Sequence, residues 1–165
     1  VLALSRMEAA LPGLALQPLS LPELLRRLVD SHGIEAEARR LRLLLRLHAM
    51  PSVQGDAALL LRALGNVLGN AIKFSAEGGA IDISLEAAYG QALVIVRDYG
   101  PGIPSGNLAT LFQPFYRGDN AALAEGHGLG LAIAQRVIGA HAGSISASNA
   151  EGGGLRVEIR LPLAT

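Results

Sequence analysis

The sequence contains no cysteine, which excludes disulfide frameworks, thiolate metal centres and cysteine nucleophiles together. It has no excess charge of either sign, with 14 Lys and Arg against 14 Asp and Glu. No net field therefore draws it to nucleic acid or to an anionic membrane, and a bound anion has to be held by local geometry. No apolar run approaches the roughly 20 residues of a membrane-spanning helix, and no basic-then-apolar leader opens the chain. These absences predict a soluble chain with no nucleic-acid partner. The first residue is Val1 rather than Met, within a helix-compatible stretch that has no capping signal ahead of it, which predicts a piece of a longer protein. What is present is 165 residues, 50% of them hydrophobic and 17% charged, enough for one core and one compact domain.

Punctuation and periodicity divide the chain. Pro12-Gly13 ends the opening helical stretch, and 14–18 reads as a short strand. Ser20, Pro22 and Glu23 form a helix start with a capping box, predicting a helix to about Arg39 that has Gly33 in its interior. Leu41, Leu43, Leu45 and Leu47 alternate with Arg42, Leu44, Arg46 and His48, the period of a strand. Asp56 caps a long helix to about Phe74. Ile81, Ile83 and Leu85, then 92–96, predict a hairpin around Gly90. Residues 99–127, rich in Gly, Pro, Asn and Ala, are too long for an ordinary connection and predict a functional lid. A helix from about Leu129 to His141 and two final strands follow, the last alternating Leu155, Val157, Ile159 and Leu161 with charged residues. The order predicts an α+β fold with helices packed on one face of a mixed sheet.

Three groups of residues carry chemistry. Asn66, Asn70 and Lys73 share one face of the long helix, beside the apolar stripe Leu60, Leu64, Val67 and Ala71. Carboxamide oxygens suit Mg2+, which is otherwise held by water and phosphate, and a nearby Lys suits the phosphates. By itself the helix is as well explained by amides bonded to backbone and a solvated lysine. Asp98, Gly100 and Gly102 follow an apolar strand: the carboxylate can accept from an exocyclic amine and the glycines let backbone approach a flat ring. The plain alternative is an Asp-Gly-Pro turn with no ligand. Gly126, Gly128, Leu129 and Gly130 form a glycine-rich run into a helix start, whose backbone amides can bind an anion without a cationic side chain; the same run can be a packing device.

The order of these groups resembles one family. Asn66-Val67-Leu68-Gly69-Asn70-Ala71-Ile72-Lys73-Phe74-Ser75 is similar to the N box of sensor histidine kinases, Asp98-Tyr99-Gly100-Pro101-Gly102 to the first G box, Phe112-Gln113-Pro114-Phe115-Tyr116-Arg117 to the F box, and Gly126 to Leu131 to the second G box. Leu4 to Ala9 resembles the closing turns of the family's dimerisation helix, so the resemblance covers nearly the whole chain. It implies a two-layer α/β sandwich of the Bergerat type, shared with gyrase, heat-shock chaperone and mismatch-repair ATPases, with about five strands, about three helices and a flexible ATP lid. Residues 1–11 would be the end of the dimerisation helix and 12–165 the ATP-binding catalytic domain.

The resemblance implies ATP and Mg2+ as cofactors. Asn70 would bind the metal, Asn66 would support metal or phosphates, and Lys73 and the lid cation Arg117 would pair with phosphate. Phe74 would contact the nucleotide by its ring, Asp98 would bind the adenine amine, and Gly100 and Gly102 would admit the base. The amides around Gly126, Gly128, Leu129 and Gly130 would hold phosphates. His127 stands where a small residue is usual and is assigned no catalytic role. Hydrolysing relatives carry Glu one turn before the metal-binding Asn; here that position is Asn66, and an amide is no general base at neutral pH. Phosphoryl transfer to a protein histidine is therefore implied over hydrolysis. None of His32, His48, His127 and His141 precedes an acidic residue as the family's acceptor does, so the acceptor is expected on a separate helical domain. A response regulator would be the downstream partner, the chain alone a monomer, and the parent a homodimer anchored in the bacterial inner membrane with this domain in the cytoplasm. A nucleotide-sensing module without catalysis and a purely structural domain are the alternatives.

Overall fold

The computed structural model describes residues 14–103, 108–112 and 127–164. The expected dimerisation stub and most of the expected lid, Arg117 and Gly126 included, lie outside these residues.

Five strands form the main sheet in the order β2 (Arg42–Leu47), β4 (Ala80–Ala88), β5 (Gln91–Arg97), β7 (Leu155–Pro162) and β6 (Ser144–Asn149). β2 runs parallel to β4, and the other pairs are antiparallel. Register carries the period-2 pattern across the whole sheet: Leu45, Ile83, Val96, Val157 and Ala147 stand side by side, and Leu47, Leu85, Val94, Ile159 and Ile145 form the next row. These rows meet α1 (Leu21–Ser31), α3 (Ala57–Phe74) and α4 (His127–Ala140), whose buried Leu25, Leu28, Leu60, Leu64, Leu68, Leu131 and Ile138 belong to the same core. Full burial of each such side chain contributes about 1.5–3 kcal/mol. The opposite sheet face carries Asp82, Ser84 and Glu86 on β4 and Arg156, Glu158 and Arg160 on β7, with Glu158 paired to both arginines at 2.9 and 2.8 Å. The result is the mixed sheet with helices on one side that the alternation predicts.

Local chemistry sets the helix ends. The Ser20 side chain accepts from the Glu23 N–H and Pro22 sits in the first turn of α1; the Asp56 carboxylate accepts from the Leu59 N–H at the start of α3. The expected single helix to Arg39 is two. The first ends at His32, where the backbone leaves the helical region (φ −106, ψ 6) and the Leu28 carbonyl, open at the helix end, is met by the Ser31 hydroxyl at 2.9 Å and the His32 Nδ1 at 3.0 Å. A second short helix, α2 (Gly33–Ala38), then restarts the chain.

Two other boundaries differ from expectation. The first strand is β1 (Gln17–Ser20), because its pairing is with β3 (Ser52–Gly55), a four-residue strand too short for its alternation to announce it. α4 begins at His127 instead of near Leu129.

The topology brings particular ends together. α3 leads through 75–79 into β4, and Arg97 at the end of β5 stands opposite Asp82 near the start of β4 and Arg156 near the start of β7. The end of α3 and the Asp98 loop therefore share one end of the sheet. At the opposite end, Tyr89 and Gly90 join β4 to β5 with positive φ at both residues (54 and 75), as a two-residue hairpin turn of the primed type requires. Tyr89 is fully exposed. His141, just past α4, is buried and links the two long helices: its Nε2 accepts from the Asp56 N–H at 3.0 Å and its Nδ1 donates to the Val137 carbonyl at 2.8 Å.

Candidate functional site

A recess at the α3 end of the sheet is lined by Asn70, Phe74, Asp98, Gly102, Ile103, Leu131 and Leu155. It gathers side chains from α3, from the loop after β5, from α4 and from the first residue of β7. Leu60, Leu64, Val67 and Ala71 are buried as the apolar stripe of α3, and this orientation places Asn66 and Asn70 half-buried on the neighbouring face. Of the residues named from sequence, Asn70, Phe74, Asp98 and Gly102 meet in the recess. Asn66 lies one turn back on α3, outside the lining, and Lys73 is exposed with its Nζ 5.6 Å from the Phe74 ring centroid. Gly128, Leu129 and Gly130 fall in the first turn of α4, where backbone N–H groups have no partner within the helix, and Leu131 directly after them reaches the recess wall.

Among the described residues Asp98 is the only carboxylate lining the recess, and it is 4% exposed. Its Oδ1 accepts from the Gly100 N–H at 3.0 Å and from the Leu155 N–H at 3.1 Å. Burial pushes its carboxyl above the ordinary value of 3.8, against the opposing pull of those two N–H groups and of the Arg97 guanidinium. The protein thus holds one oxygen and accepts the cost of burying the charge, an arrangement that suits a donor reaching the other oxygen from the recess. Phe74, Ile103, Leu131 and Leu155 surround it with apolar surface, a lining whose chemistry suits a flat apolar ring bearing an amine; the open volume is only about 20 Å³, so the walls must part to admit one.

The glycines of this loop have a second purpose. A Cβ at Gly100 would overlap the Phe74 carbonyl oxygen, and one at Gly154 (φ +92) would overlap the Asp98 carbonyl oxygen. One at Gly102 (φ +75) would lie 2.6 Å from the Asn149 Oδ1. Close approach of backbone to backbone requires glycine at 100 and 154, and the positive φ favours it at 102, independently of any ligand.

Several residues that build the site were given no role by the sequence motifs. Arg39 donates from Nη1 to the Ile72 and Lys73 carbonyls and from Nη2 to the Ser75 carbonyl, holding the end of α3 where Phe74 meets Gly100. Arg97 donates to the Glu151 and Gly153 carbonyls and lies 4.2 Å from the Tyr99 ring centroid. The Tyr99 hydroxyl donates to the Asp82 carboxylate, which raises the phenol's pKa. Leu155 and Ile103 read from sequence as ordinary apolar residues, and Leu131 only as the last residue of the second glycine-rich run; Gly152-Gly153-Gly154 is the one sequence signal that the last hairpin touches something closely.

Among the described residues no three His, Asp or Glu side chains cluster as a metal cage. A divalent cation here would need ligands from carboxamide, water and a phosphorylated ligand, and Asn70 is the recess residue with that chemistry.

The family model for histidine kinase-, DNA gyrase B- and HSP90-like ATPases matches residues 55–165. The sensor protein CutS of Streptomyces coelicolor is 35% identical over 150 residues, covering 89% of this chain and 36% of its own length. The catalytic domain of the histidine kinase ThkA has the same fold with a TM-score of 0.79 at 27% identity, covering 89% of this chain and 95% of that one. Full-length ShkA, solved in complex with AMPPNP, gives 0.80 at 29% identity over 92% of this chain and 32% of its own. The chain thus spans about a third of the length of CutS. With the recess, the sheet order and the match agreeing, the chain belongs to the family of histidine kinase-, DNA gyrase B- and HSP90-like ATPases.

Proposed function

We propose that the chain is the ATP-binding catalytic domain of a two-component sensor histidine kinase, which transfers the γ-phosphoryl of Mg-ATP to a histidine on a separate helical domain. The observation that carries this reading is the convergence of Asp98, Asn70 and Phe74 in one recess with apolar walls. Asp98 accepts from the adenine amine, Phe74, Ile103, Leu131 and Leu155 enclose the ring, and Asn70 reaches toward the phosphates. The Asn70 carboxamide oxygen, supported by Asn66, would hold Mg2+, which would supply charge neutralisation on the triphosphate. Lys73, Arg117 and the amides around Gly126, Gly128, Leu129 and Gly130 are assigned to the phosphates.

Transfer breaks the bond between the γ-phosphorus and the β,γ-bridging oxygen as a bond to an imidazole nitrogen forms, with ADP leaving and the proton lost to a base on the acceptor domain. The chain's own contribution is positioning and charge stabilisation. Asn66 at the place of the hydrolases' Glu favours transfer over hydrolysis, because no carboxylate stands there to activate water. On this reading the parent is a homodimer anchored in the bacterial inner membrane, with this domain in the cytoplasm and a response regulator as its phosphoryl acceptor. The similarity to CutS, a sensor protein, supports the sensor part of this reading.

Calorimetric titration of a non-hydrolysable ATP analogue, with and without Mg2+, tests the reading on this chain and on Asn70→Ala. Metal-dependent binding that the substitution weakens is expected. Binding indifferent to metal would favour a nucleotide-sensing module, and no binding by the unsubstituted chain would end the kinase reading.

A further inference from the structure

The turn between β6 and β7 is stitched to the loop that carries Asp98. Arg97 donates to the Glu151 and Gly153 carbonyls, the Asp98 N–H donates to the Leu155 carbonyl, and the Leu155 N–H returns a bond to the Asp98 Oδ1. Asn149, the last residue of β6, completes the seam: its Oδ1 accepts from the Ile103 N–H at 2.9 Å and its Nδ2 donates to the Ile103 carbonyl at 2.6 Å.

That bracket is unusual in what it satisfies. Ile103 belongs to no helix or strand, so its backbone polar groups depend on side chains or water. One carboxamide supplies both partners, and only a group with an acceptor and a donor on one planar carbon can do so. Gly102 is bare where the Asn149 oxygen approaches, since a Cβ there would lie 2.6 Å from it. Ile103 is also a wall of the recess that holds Asp98.

We propose that Asn149 is a positioning residue for the base-binding wall: by bracketing the backbone of Ile103 it fixes that side chain against the ring whose amine Asp98 accepts. This rests on the adenine reading of the recess. It assigns the last hairpin a part in base recognition although Asn149 itself touches no nucleotide. Because the bracket acts on the base and not on the phosphates, its loss weakens di- and triphosphates alike.

The test measures affinity for ADP and for a non-hydrolysable ATP analogue on this chain, on Asn149→Ala and on Asn149→Asp, with the ligand-free thermal midpoint of each. Asn149→Ala is expected to lose about tenfold for both nucleotides, the worth of one or two hydrogen bonds, with a midpoint close to that of the unsubstituted chain. Asn149→Asp keeps the acceptor but sets a second lone pair against the Ile103 carbonyl. It should match the alanine variant at pH 7.5 and recover affinity relative to it as pH is lowered, because a protonated carboxyl donates again. Unchanged affinity in Asn149→Ala, a loss confined to the triphosphate, or a loss accompanied by a collapse of the ligand-free midpoint would overturn the proposal. If the unsubstituted chain binds neither nucleotide, the adenine reading fails first and removes this inference with it.

Discussion

At Asp98 the two carboxylate oxygens are available for different tasks, because Oδ1 already accepts from Gly100 and Leu155. An amide can keep the first task and not the second. Asp98→Asn should therefore fold, with its oxygen on the same two N–H groups, while its NH2 opposes the incoming amine; nucleotide affinity is expected to fall roughly 10–100-fold. The pH dependence has a definite sign. The folded carboxyl titrates above its unfolded value of about 3.8, so within that window the folded chain binds more protons and this group's contribution to stability declines as pH rises. The burial cost is complete above the raised pKa and is relieved below it. Asn carries no such charge, so denaturant unfolding should show Asp98→Asn gaining on its parent between the acid side of the window and neutral pH. A parallel pH profile for the two would refute the buried-charge account. Asp98 was readable as a site residue because a motif surrounds it. The reason for Gly100 and Gly154 was not, since it lies in carbonyls of Phe74 and Asp98 that only the folded chain brings near.

At the level of elements, the end of α3 is the part of the site that depends most on another element. The guanidinium of Arg39 spans the Ile72, Lys73 and Ser75 carbonyls, groups left open at a helix C-terminus and favourably placed for a cation. Arg39→Ala should cost about 2 kcal/mol in denaturant unfolding. Arg39→Lys should recover only part of it, because one ammonium cannot reproduce a planar fork; full recovery by lysine would mean that charge alone matters. Which elements could be foreseen follows from the same logic. β4 and β7 alternate because one face is buried and the other carries polar and charged residues, and that pattern is local; β5 shows itself as an apolar run bounded by the Gly90 turn. α3 announces its own start through Asp56. β3 and the position of β1 exist through each other, and the break at His32 depends on a ring turning back to its own helix. Neither is encoded in the period of a single segment.

Across the whole molecule, stability is distributed unevenly. β5 is paired on both sides, by β4 and β7, and buries Ala92, Val94 and Val96. β1 has one partner and mostly exposed side chains. Hydrogen exchange should find the amides of β5 protected to near the global unfolding limit and those of β1 and β3 released much earlier; equal protection would make the two-stranded sheet part of the same cooperative unit. The recess around Asp98 lies at the end of β5. The Tyr89–Gly90 turn lies at the other end of β5, roughly 20 Å away along a seven-residue strand. Since the turn is fully exposed and the chain has no thiol of its own, Tyr89→Cys would offer a single attachment point for a dye or spin label. Occupancy of the recess could then be followed from a reporter that never enters it.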